Sequence, residues 1–218
     1  MNELVIIGSG GLASEISAFI RDYNRNNANK IIIKGYLDQT EKIFLSNKNK
    51  YNFKSPYLGS SDTYEFSNKE DYILGFSNID SRNNFFIKNR MVDLNFINII
   101  HPTVIMPETF NIGVGNVIYP HTVVGPNTNI GNFNTFTSYS FISHDCSIGN
   151  NNFFSTSGLS GNVSIQNNNY FGIRATVLPS VVIGSNNTIQ AGMVVDKNVE
   201  NNETVFYRYK EKVTIIKA

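Results

Sequence analysis

Residues 112–142 read IGVGNV IYPHTV VGPNTN IGNFNT FTSYSF I, and every sixth residue in this stretch is apolar. The same series runs without a miss from Ile100 to Phe154, slips by one residue, and resumes from Leu159 to Val195. Its members are Ile100, Met106, Ile112, Ile118, Val124, Ile130, Phe136, Ile142, Ile148 and Phe154, then Leu159, Ile165, Phe171, Val177, Ile183, Ile189 and Val195. Neither an α-helix nor a single amphipathic strand has a period of six.

A parallel β-helix does have this period, because its short strands form the walls of a prism and one residue per wall points inward. We therefore expect a β-helix from residue 98 to the end of the chain, with a C-terminal tail. The slip after Phe154 marks a break in the regular coil. Such a break is either part of a functional site or a harmless deletion at a corner.

The first 97 residues show a different pattern and are predicted to form a small parallel α/β domain. Apolar runs predict strands at Leu4–Ile7, Ile31–Leu37 and Tyr72–Gly75. Helical spacing predicts helices at Leu12–Asp22 and from about Ser81 to Asp93, whereas the polar segment Asn47–Lys54 is predicted to be a loop.

The turn between the first strand and the first helix fits the pattern G-x-G-x-x-G/A at Gly8, Gly10 and Ala13. Such a turn lets the backbone approach a phosphate at the helix N-terminus, and Asp38 ends the next strand, where a ribose or base would lie. Alternatively, the glycines only make a tight turn. The domain is about half of a dinucleotide fold, a half-Rossmann unit, which suits a mononucleotide or nucleotide-sugar better than NAD.

Composition excludes several classes of function. The formal net charge of +1 and scattered basic residues give no indication of nucleic-acid binding. One cysteine excludes an internal disulfide framework and, with no signal peptide or membrane span in the sequence, predicts a cytoplasmic protein. The 33 asparagines suit a chain that turns a corner every six residues, since asparagine tolerates turn conformations.

Three histidines are the candidates for chemistry, and His144 is the best of them. His101, His121 and His144 take different phases of the repeat, so we expect no metal site. Asp145, which directly follows His144, could orient the imidazole and stabilise its charged form, as a general base requires. A structural or solvent-facing histidine is the alternative. Cys146 falls on an inward phase and is interpreted as a core thiol.

Several motifs along the whole chain carry a family resemblance, and the His-Asp-Cys segment is the most specific. They are Gly8-Ser-Gly-Gly11, Gly35-Tyr-Leu-Asp38, Ile73-Leu-Gly75, Ile99-Ile-His-Pro102, Ile142-Ser-His-Asp-Cys-Ser-Ile-Gly149, Gly161-Asn-Val-Ser-Ile165 and Val177-Leu-Pro-Ser-Val-Val-Ile-Gly184. The chain resembles the NeuD-like and PglD-like sugar acetyltransferases. The resemblance implies a left-handed β-helix, a homotrimer, and acetyl-CoA as co-substrate with no metal.

The resemblance also implies roles for individual residues. The N-terminal domain would bind a nucleotide-activated amino sugar, with its phosphates near Ser9, Gly10 and Gly11 and its ribose or base near Asp38. Thr137 occupies a position beside the sugar, where some relatives have asparagine. Acetyl-CoA would lie between neighbouring subunits, near Gly161, Ile173 and Ala191. His144 would act as general base, with Asp145 orienting its ring.

The function that these roles predict is N-acetylation of the 4-amino group of a nucleotide-linked 4-amino-4,6-dideoxy sugar for a surface glycan. Three alternatives remain open from the sequence. The first is a sialic acid O-acetyltransferase, because the acceptor atom is chosen by pocket shape. The second is a non-catalytic β-helical scaffold that senses a nucleotide. The third is a dinucleotide-binding oxidoreductase, against which the missing second half of the sheet counts.

Overall fold

A computed structural model describes residues 3–89, 94–108 and 110–207 of the 218-residue chain. Its N-terminal part is a five-stranded parallel sheet in the order β3-β2-β1-β4-β5. The strands are β1 (Leu4–Ile7), β2 (Ile33–Asp38), β3 (Tyr57–Ser60), β4 (Asp71–Leu74) and β5 (Asn95–Phe96). The strand order reverses between β1 and β4, and ligands of open parallel sheets bind at such a point.

Helices cover both faces of this sheet, because side chains of β1 alternate between the two faces. The helices are α1 (Gly11–Asn26), α2 (Glu41–Tyr51) and α3 (Ile79–Asn89). Leu4 and Ile6 pack with α1 and α2, while Val5 and Ile7 pack with α3. The first predicted strand is confirmed with the same ends, and the other two strands and the first helix are confirmed with shifted ends. Residues 90–93 of the predicted third helix lie outside the described residues.

The predicted loop at Asn47–Lys54 is wrong over its first five residues, which belong to α2. The helix has a clear start, since the Thr40 hydroxyl accepts a hydrogen bond from the Ile43 amide, and a clear end at Asn52 in the left-handed conformation. Phe44 is its one buried residue, so the segment shows no apolar period from which a helix could be predicted. Strand β3 was missed as well.

The C-terminal part is a parallel β-helix of two-residue strands arranged in three sheets, which fit the predicted left-handed β-helix. Wall 1 contains β6 (Ile99–Ile100), β8 (Val117–Ile118), β11 (Thr135–Phe136), β14 (Phe153–Phe154), β17 (Tyr170–Phe171), β20 (Thr188–Ile189) and β22 (Thr204–Val205). Wall 2 contains β9 (Val123–Val124), β12 (Phe141–Ile142), β15 (Gly158–Leu159), β18 (Thr176–Val177) and β21 (Val194–Val195). Wall 3 contains β7 (Asn111–Ile112), β10 (Asn129–Ile130), β13 (Ser147–Ile148), β16 (Ser164–Ile165) and β19 (Val182–Ile183).

The residues of the six-residue series fill the interior of the prism, as predicted. Phe136, Phe154 and Phe171 stack on one another with ring centroids 4.7 and 4.6 Å apart. Met106 is the exception, since it lies in the incomplete first coil and is exposed. Cys146 is buried in the same core, which confirms its interpretation as a core thiol.

Ladders of hydrogen-bonded asparagines stabilise the corners of the prism. Each corner is named by the two walls that it joins. At corner 3–1, the buried Asn134 amide donates to the Gly149 carbonyl at 2.8 Å and accepts from the Asn152 backbone at 2.9 Å. Asn152 and Asn169 repeat this arrangement in the following coils. Asparagines also occupy left-handed corner positions at 127, 151, 162, 168, 186 and 202. The high asparagine content therefore serves the fold.

The slip in the repeat is a shortened corner between walls 1 and 2. Phe153 pairs with Tyr170 and Phe141 with Gly158, which is one residue fewer than the regular coil spacing. The missing residue belongs to corner 1–2, where the Thr156 amide donates to the Thr137 hydroxyl at 2.7 Å. The break follows His144 in sequence, but it lies at a different corner of the prism.

The α/β sheet packs against wall 1 and its two adjoining corners. Arg82 of α3 is buried and donates hydrogen bonds to the carbonyls of Phe76 and Phe133 and to the Thr135 hydroxyl. Burial lowers the pKa of Arg82 to about 10. On the other side, Tyr119 packs with α1. Within the described residues, no helix is long and apolar enough to span a membrane.

Candidate active site

His144 lies at corner 2–3, in the turn between β12 and β13, with 62% of its side chain exposed. Its Nδ1 is 2.6 Å from Oδ2 of Asp145, so Nε2 is the nitrogen that can accept a proton. The other carboxylate oxygen of Asp145 accepts a hydrogen bond from Asn127 at 2.5 Å. The hydrogen bonds from Asn127 and then from His144 lower the pKa of Asp145. This geometry is the one that a general base with an orienting carboxylate requires.

Gly161, at the same corner one coil later, provides the surface under the imidazole ring. A methyl group at this position would lie 2.7 Å from Cε1 and 2.8 Å from Nε2 of His144. The backbone also joins the two coils, since the Asn162 amide donates to the His144 carbonyl at 3.0 Å. Gly161 was predicted to contact acetyl-CoA, and the structure places it directly against the candidate base.

A first cleft lies at the switch point of the α/β sheet, with a volume of about 490 Å³. Ser9, Gly10 and Asp38, three of the predicted nucleotide-binding residues, line it together with Lys88 of α3. Gly10 caps α1 without a side-chain hydrogen bond, and the first turn carries no acidic residue. The free N–H groups of this turn are suited to a phosphate.

Ser9 is less available to a phosphate than its position in the motif predicts. Its amide donates to Oδ2 of Asp38 at 3.0 Å, and its hydroxyl donates to the same oxygen. Asn47 of α2 donates to the Ser9 hydroxyl at 3.2 Å. The serine thus connects β1 to β2, which leaves Gly10 and Gly11 as the residues of this turn whose N–H groups are suited to an anion.

A second cleft of about 450 Å³ lies between α1 and corner 1–2 of the β-helix. Gly11 and Thr137, both predicted substrate contacts, line it from opposite sides. The first cleft is lined by Gly10 and the second by Gly11, so the two clefts meet at the N-terminus of α1. One elongated ligand could occupy both clefts.

The structure does not bring all the predicted residues together within one chain. Thr137 lies at corner 1–2, whereas His144 lies at corner 2–3, which is opposite the wall that packs on the α/β sheet. The predicted acetyl-CoA contacts are divided in the same way. Ile173 and Ala191 lie at corner 1–2 and Gly161 lies at corner 2–3, so wall 2 separates them.

The other two histidines belong to corner 1–2, which wall 2 separates from the corner of His144. His101 is buried, with Nδ1 2.9 Å from the Thr103 hydroxyl and Nε2 3.7 Å from Asp22. His121 stacks on Tyr139. In the described parts of the chain, no group of three or more His, Cys, Asp or Glu residues could hold a metal ion.

Sequence reasoning missed four charged residues in or near the clefts. Glu15 of α1 lines the second cleft, and Lys88 and Asp62, paired at 2.8 Å, line the first. The buried Arg82 lines neither cleft and joins α3 to wall 1. Glu15 lies three residues after Leu12 and four before Phe19, at the edge of the apolar face of α1, so a charged residue just after the glycine turn was the available signal. Arg82 and Lys88 are in α3, whose contacts with the β-helix no local pattern reveals.

Solved structures of other proteins are similar to this chain over nearly all of its length. PerB from Caulobacter crescentus, in complex with CoA and GDP-perosamine, has a TM-score of 0.77 and 20% identity, covering 94% of this chain and 93% of its own. The acetyltransferase domain of PglB from Neisseria gonorrhoeae, in complex with acetyl coenzyme A, has a TM-score of 0.75 and 19% identity, covering 94% and 96%. WeeI from Acinetobacter baumannii has a TM-score of 0.75 and 18% identity, covering 94% and 96%.

This chain has the fold of these proteins. The similarity extends through both the α/β sheet and the β-helix, because it covers more than nine-tenths of the chain. No protein-family model matches the sequence, and no curated protein sequence is similar to it.

Proposed function

We propose that the protein is an acetyl-CoA-dependent N-acetyltransferase that acts on the 4-amino group of a nucleotide-linked 4-amino-4,6-dideoxy sugar, for a surface glycan. The observation that carries the proposal is the exposed His144–Asp145 pair, seated on Gly161, in a chain with the fold of PerB. PerB binds CoA and GDP-perosamine, and a histidine variant of the Caulobacter GDP-perosamine N-acetyl transferase has been solved with the same two ligands.

The nucleotide-sugar occupies the two clefts that meet at α1. Residues 1–97 act as a half-Rossmann nucleotide-sugar domain and residues 98–218 as the acetyltransferase domain. The ribose or base lies near Asp38 in the first cleft, and the diphosphate lies at the N–H groups of Gly10 and Gly11. Lys88 lines the same cleft, where it is paired with Asp62 at 2.8 Å. The sugar then enters the second cleft, towards Thr137.

His144 acts on the amine during transfer. Nε2 of His144 takes a proton from the sugar amine as the nitrogen attacks the thioester carbonyl, and the coenzyme thiolate is the leaving group. Asp145, fixed by Asn127, orients the ring through Nδ1 and stabilises the imidazolium. A backbone N–H beside the carbonyl stabilises the oxyanion, and binding both substrates together supplies much of the rate.

The separation of His144 from Thr137 supports a site shared between copies of the chain in a homotrimer. Corner 2–3 of one copy supplies the base and corner 1–2 of the next copy supplies the sugar cleft. Wall 2, which lies between these corners, exposes Val123, Phe141 and Val194, which are 39%, 42% and 53% exposed. Val123 and Phe141 are neighbours on this wall, whereas Gly158 and Thr176 separate Phe141 from Val194. Exposed apolar residues on one face are typical of protein interfaces. Acetyl-CoA lies between copies, near Gly161, Ile173 and Ala191.

A coupled assay tests the proposal. The protein is incubated with acetyl-CoA and a panel of UDP-, dTDP- and GDP-linked 4-amino-4,6-dideoxy sugars, and thiol release is followed. We expect turnover with at least one sugar and a loss of about 10²–10⁴-fold in kcat for His144→Ala. Turnover with sialic acid alone would replace the N-acetyl proposal by O-acetylation, and an active His144→Ala variant would refute the assigned base.

The shared site is tested by the oligomeric state. We expect a trimer by light scattering, and Phe141→Asp in wall 2 should give monomers that lack activity, because a buried charge opposes association. Ile87→Asp is the matched control, since Ile87 of α3 is exposed outside the proposed interface. An active monomer would exclude the shared site.

A further inference from the structure

The second cleft differs from the first in its chemistry, because hydroxyl groups dominate its lining. They come from Ser14, Tyr51, Ser77, Tyr119, Thr137, Ser138 and Thr156. Among the described residues that line this cleft, Glu15 is the one charged side chain. Hydroxyl groups both donate and accept hydrogen bonds, which suits a sugar, and the single carboxylate adds a preference for a positively charged group.

Glu15 is held in place by a buried tyrosine. The Tyr119 hydroxyl donates to Oε2 of Glu15 at 2.6 Å, and Tyr119 is 5% exposed. Its ring packs edge-to-face on Phe19 at a centroid distance of 4.7 Å. One oxygen of the carboxylate is thus fixed by the wall of the cleft. Since the Glu15 side chain is exposed, the other oxygen can accept hydrogen bonds from a ligand.

Arg82, the cation that acts electrostatically on Tyr119, is not placed to neutralise this carboxylate. Arg82 is almost fully buried and its N–H groups go to Phe76, Phe133 and Thr135. It does not line the cleft. An acceptor that carries an ammonium group would therefore meet a carboxylate without a basic side chain beside it, whereas an acceptor that carries a carboxylate would be repelled.

On the basis of the proposed function, we propose that Glu15 selects an amino sugar as the acceptor by accepting hydrogen bonds from its ammonium group. Glu15 acts in binding. The ammonium group then loses one proton to solvent and becomes the neutral amine, and Nε2 of His144 takes the second proton as this amine attacks the thioester carbonyl. The position is consistent with the path of the ligand, because the cleft begins at Gly11, next to the phosphate-facing end of α1. The same carboxylate disfavours sialic acid, which is itself an anion.

Calorimetric titration of the full-length protein tests the selection. The ligands are UDP-, dTDP- and GDP-linked 4-amino-4,6-dideoxy sugars, the matching 4-hydroxy sugars, and the free nucleoside diphosphates. For the nucleotide that binds, we expect the wild type to bind the amino sugar with about tenfold higher affinity than the hydroxy sugar. A hydrogen bond between charged groups contributes a difference of this size. Glu15→Gln should lose this preference and bind the hydroxy sugar and the free diphosphate as the wild type does.

Glu65→Gln is the matched control, because Glu65 is exposed, outside both clefts, and undergoes the same change of charge. Equal weakening of all ligands by Glu15→Gln would indicate a structural role and overturn the inference. Equal affinity of the wild-type protein for the amino sugar and the hydroxy sugar would by itself overturn the inference. If the wild type acetylates an amino sugar but Glu15→Gln still prefers the amino sugar over the hydroxy sugar, the role of Glu15 is refuted and the proposed function is not. If no nucleotide-sugar binds, the proposed function falls too.

Discussion

Replacing Gly161 by alanine should displace the candidate base without unfolding the protein. The added methyl would lie 2.7 Å from Cε1 of His144, so the ring must withdraw by about 0.7 Å to reach ordinary contact at 3.4 Å. The His144 side chain is 62% exposed and can move into solvent. A misplacement approaching 1 Å costs about 10²-fold in rate, which is about 2.7 kcal/mol. We expect this loss in kcat with the best acceptor of the thiol-release assay.

The stability of Gly161→Ala should differ from that of the wild type by less than about 1 kcal/mol, because the substituted backbone does not need a left-handed conformation. Urea unfolding checks this. The same substitution in the His144→Ala background is the decisive control, since a loss that acts through the ring cannot be repeated when the ring is absent. Full activity of Gly161→Ala would refute the reasoning. Equal losses in both backgrounds would refute it as well, and would indicate that Gly161 acts through acetyl-CoA alone.

Three further expectations concern the scaffold. Asn134→Ala should lower the free energy of unfolding in urea by about 2–3 kcal/mol, since buried ladder partners lose their hydrogen bonds. Asn132→Ala should cost less, because Asn132 is half-buried and its ladder hydrogen bonds with Asn150 are exposed. Cys146 should react with a thiol reagent only after unfolding, because it is 1% exposed and burial raises the pKa of its thiol. Prompt labelling of Cys146 in the native protein would contradict its place in the core. Burial alone would raise the pKa of Glu70, but hydrogen bonds led by that of Lys34 hold it below its ordinary 4.5. The ionised Glu70 therefore stabilises the fold above pH 4.5, and this contribution disappears as the pH falls through its lowered pKa. In urea unfolding, the free energy of unfolding of Glu70→Gln should be lower than that of the wild type by about 1–2 kcal/mol at pH 7. In acid, the two free energies of unfolding should be equal.

The β-helix could be predicted almost residue by residue, because its period is set by a repeated local constraint. Every inward position has the same neighbours one coil above and below, so a single apolar residue per wall is diagnostic. Met106 departs from the series because the first coil has no complete neighbour to pack against. Helix α2 escaped prediction for the opposite reason, since its one buried side chain, Phe44, cannot produce a period.

The residues of the site were harder to place than the fold, and the reason lies in the prism itself. A period of six tells which residues point inward, but it does not tell which corner a residue occupies or what faces that corner. His144 and Thr137 are seven positions apart, yet a whole strand of wall 2 separates their corners. The proposed chemistry therefore depends on how copies of the chain assemble. If the base and the sugar cleft work together, they do so across two copies, and the exposed apolar face of wall 2 is the surface that must bring them together.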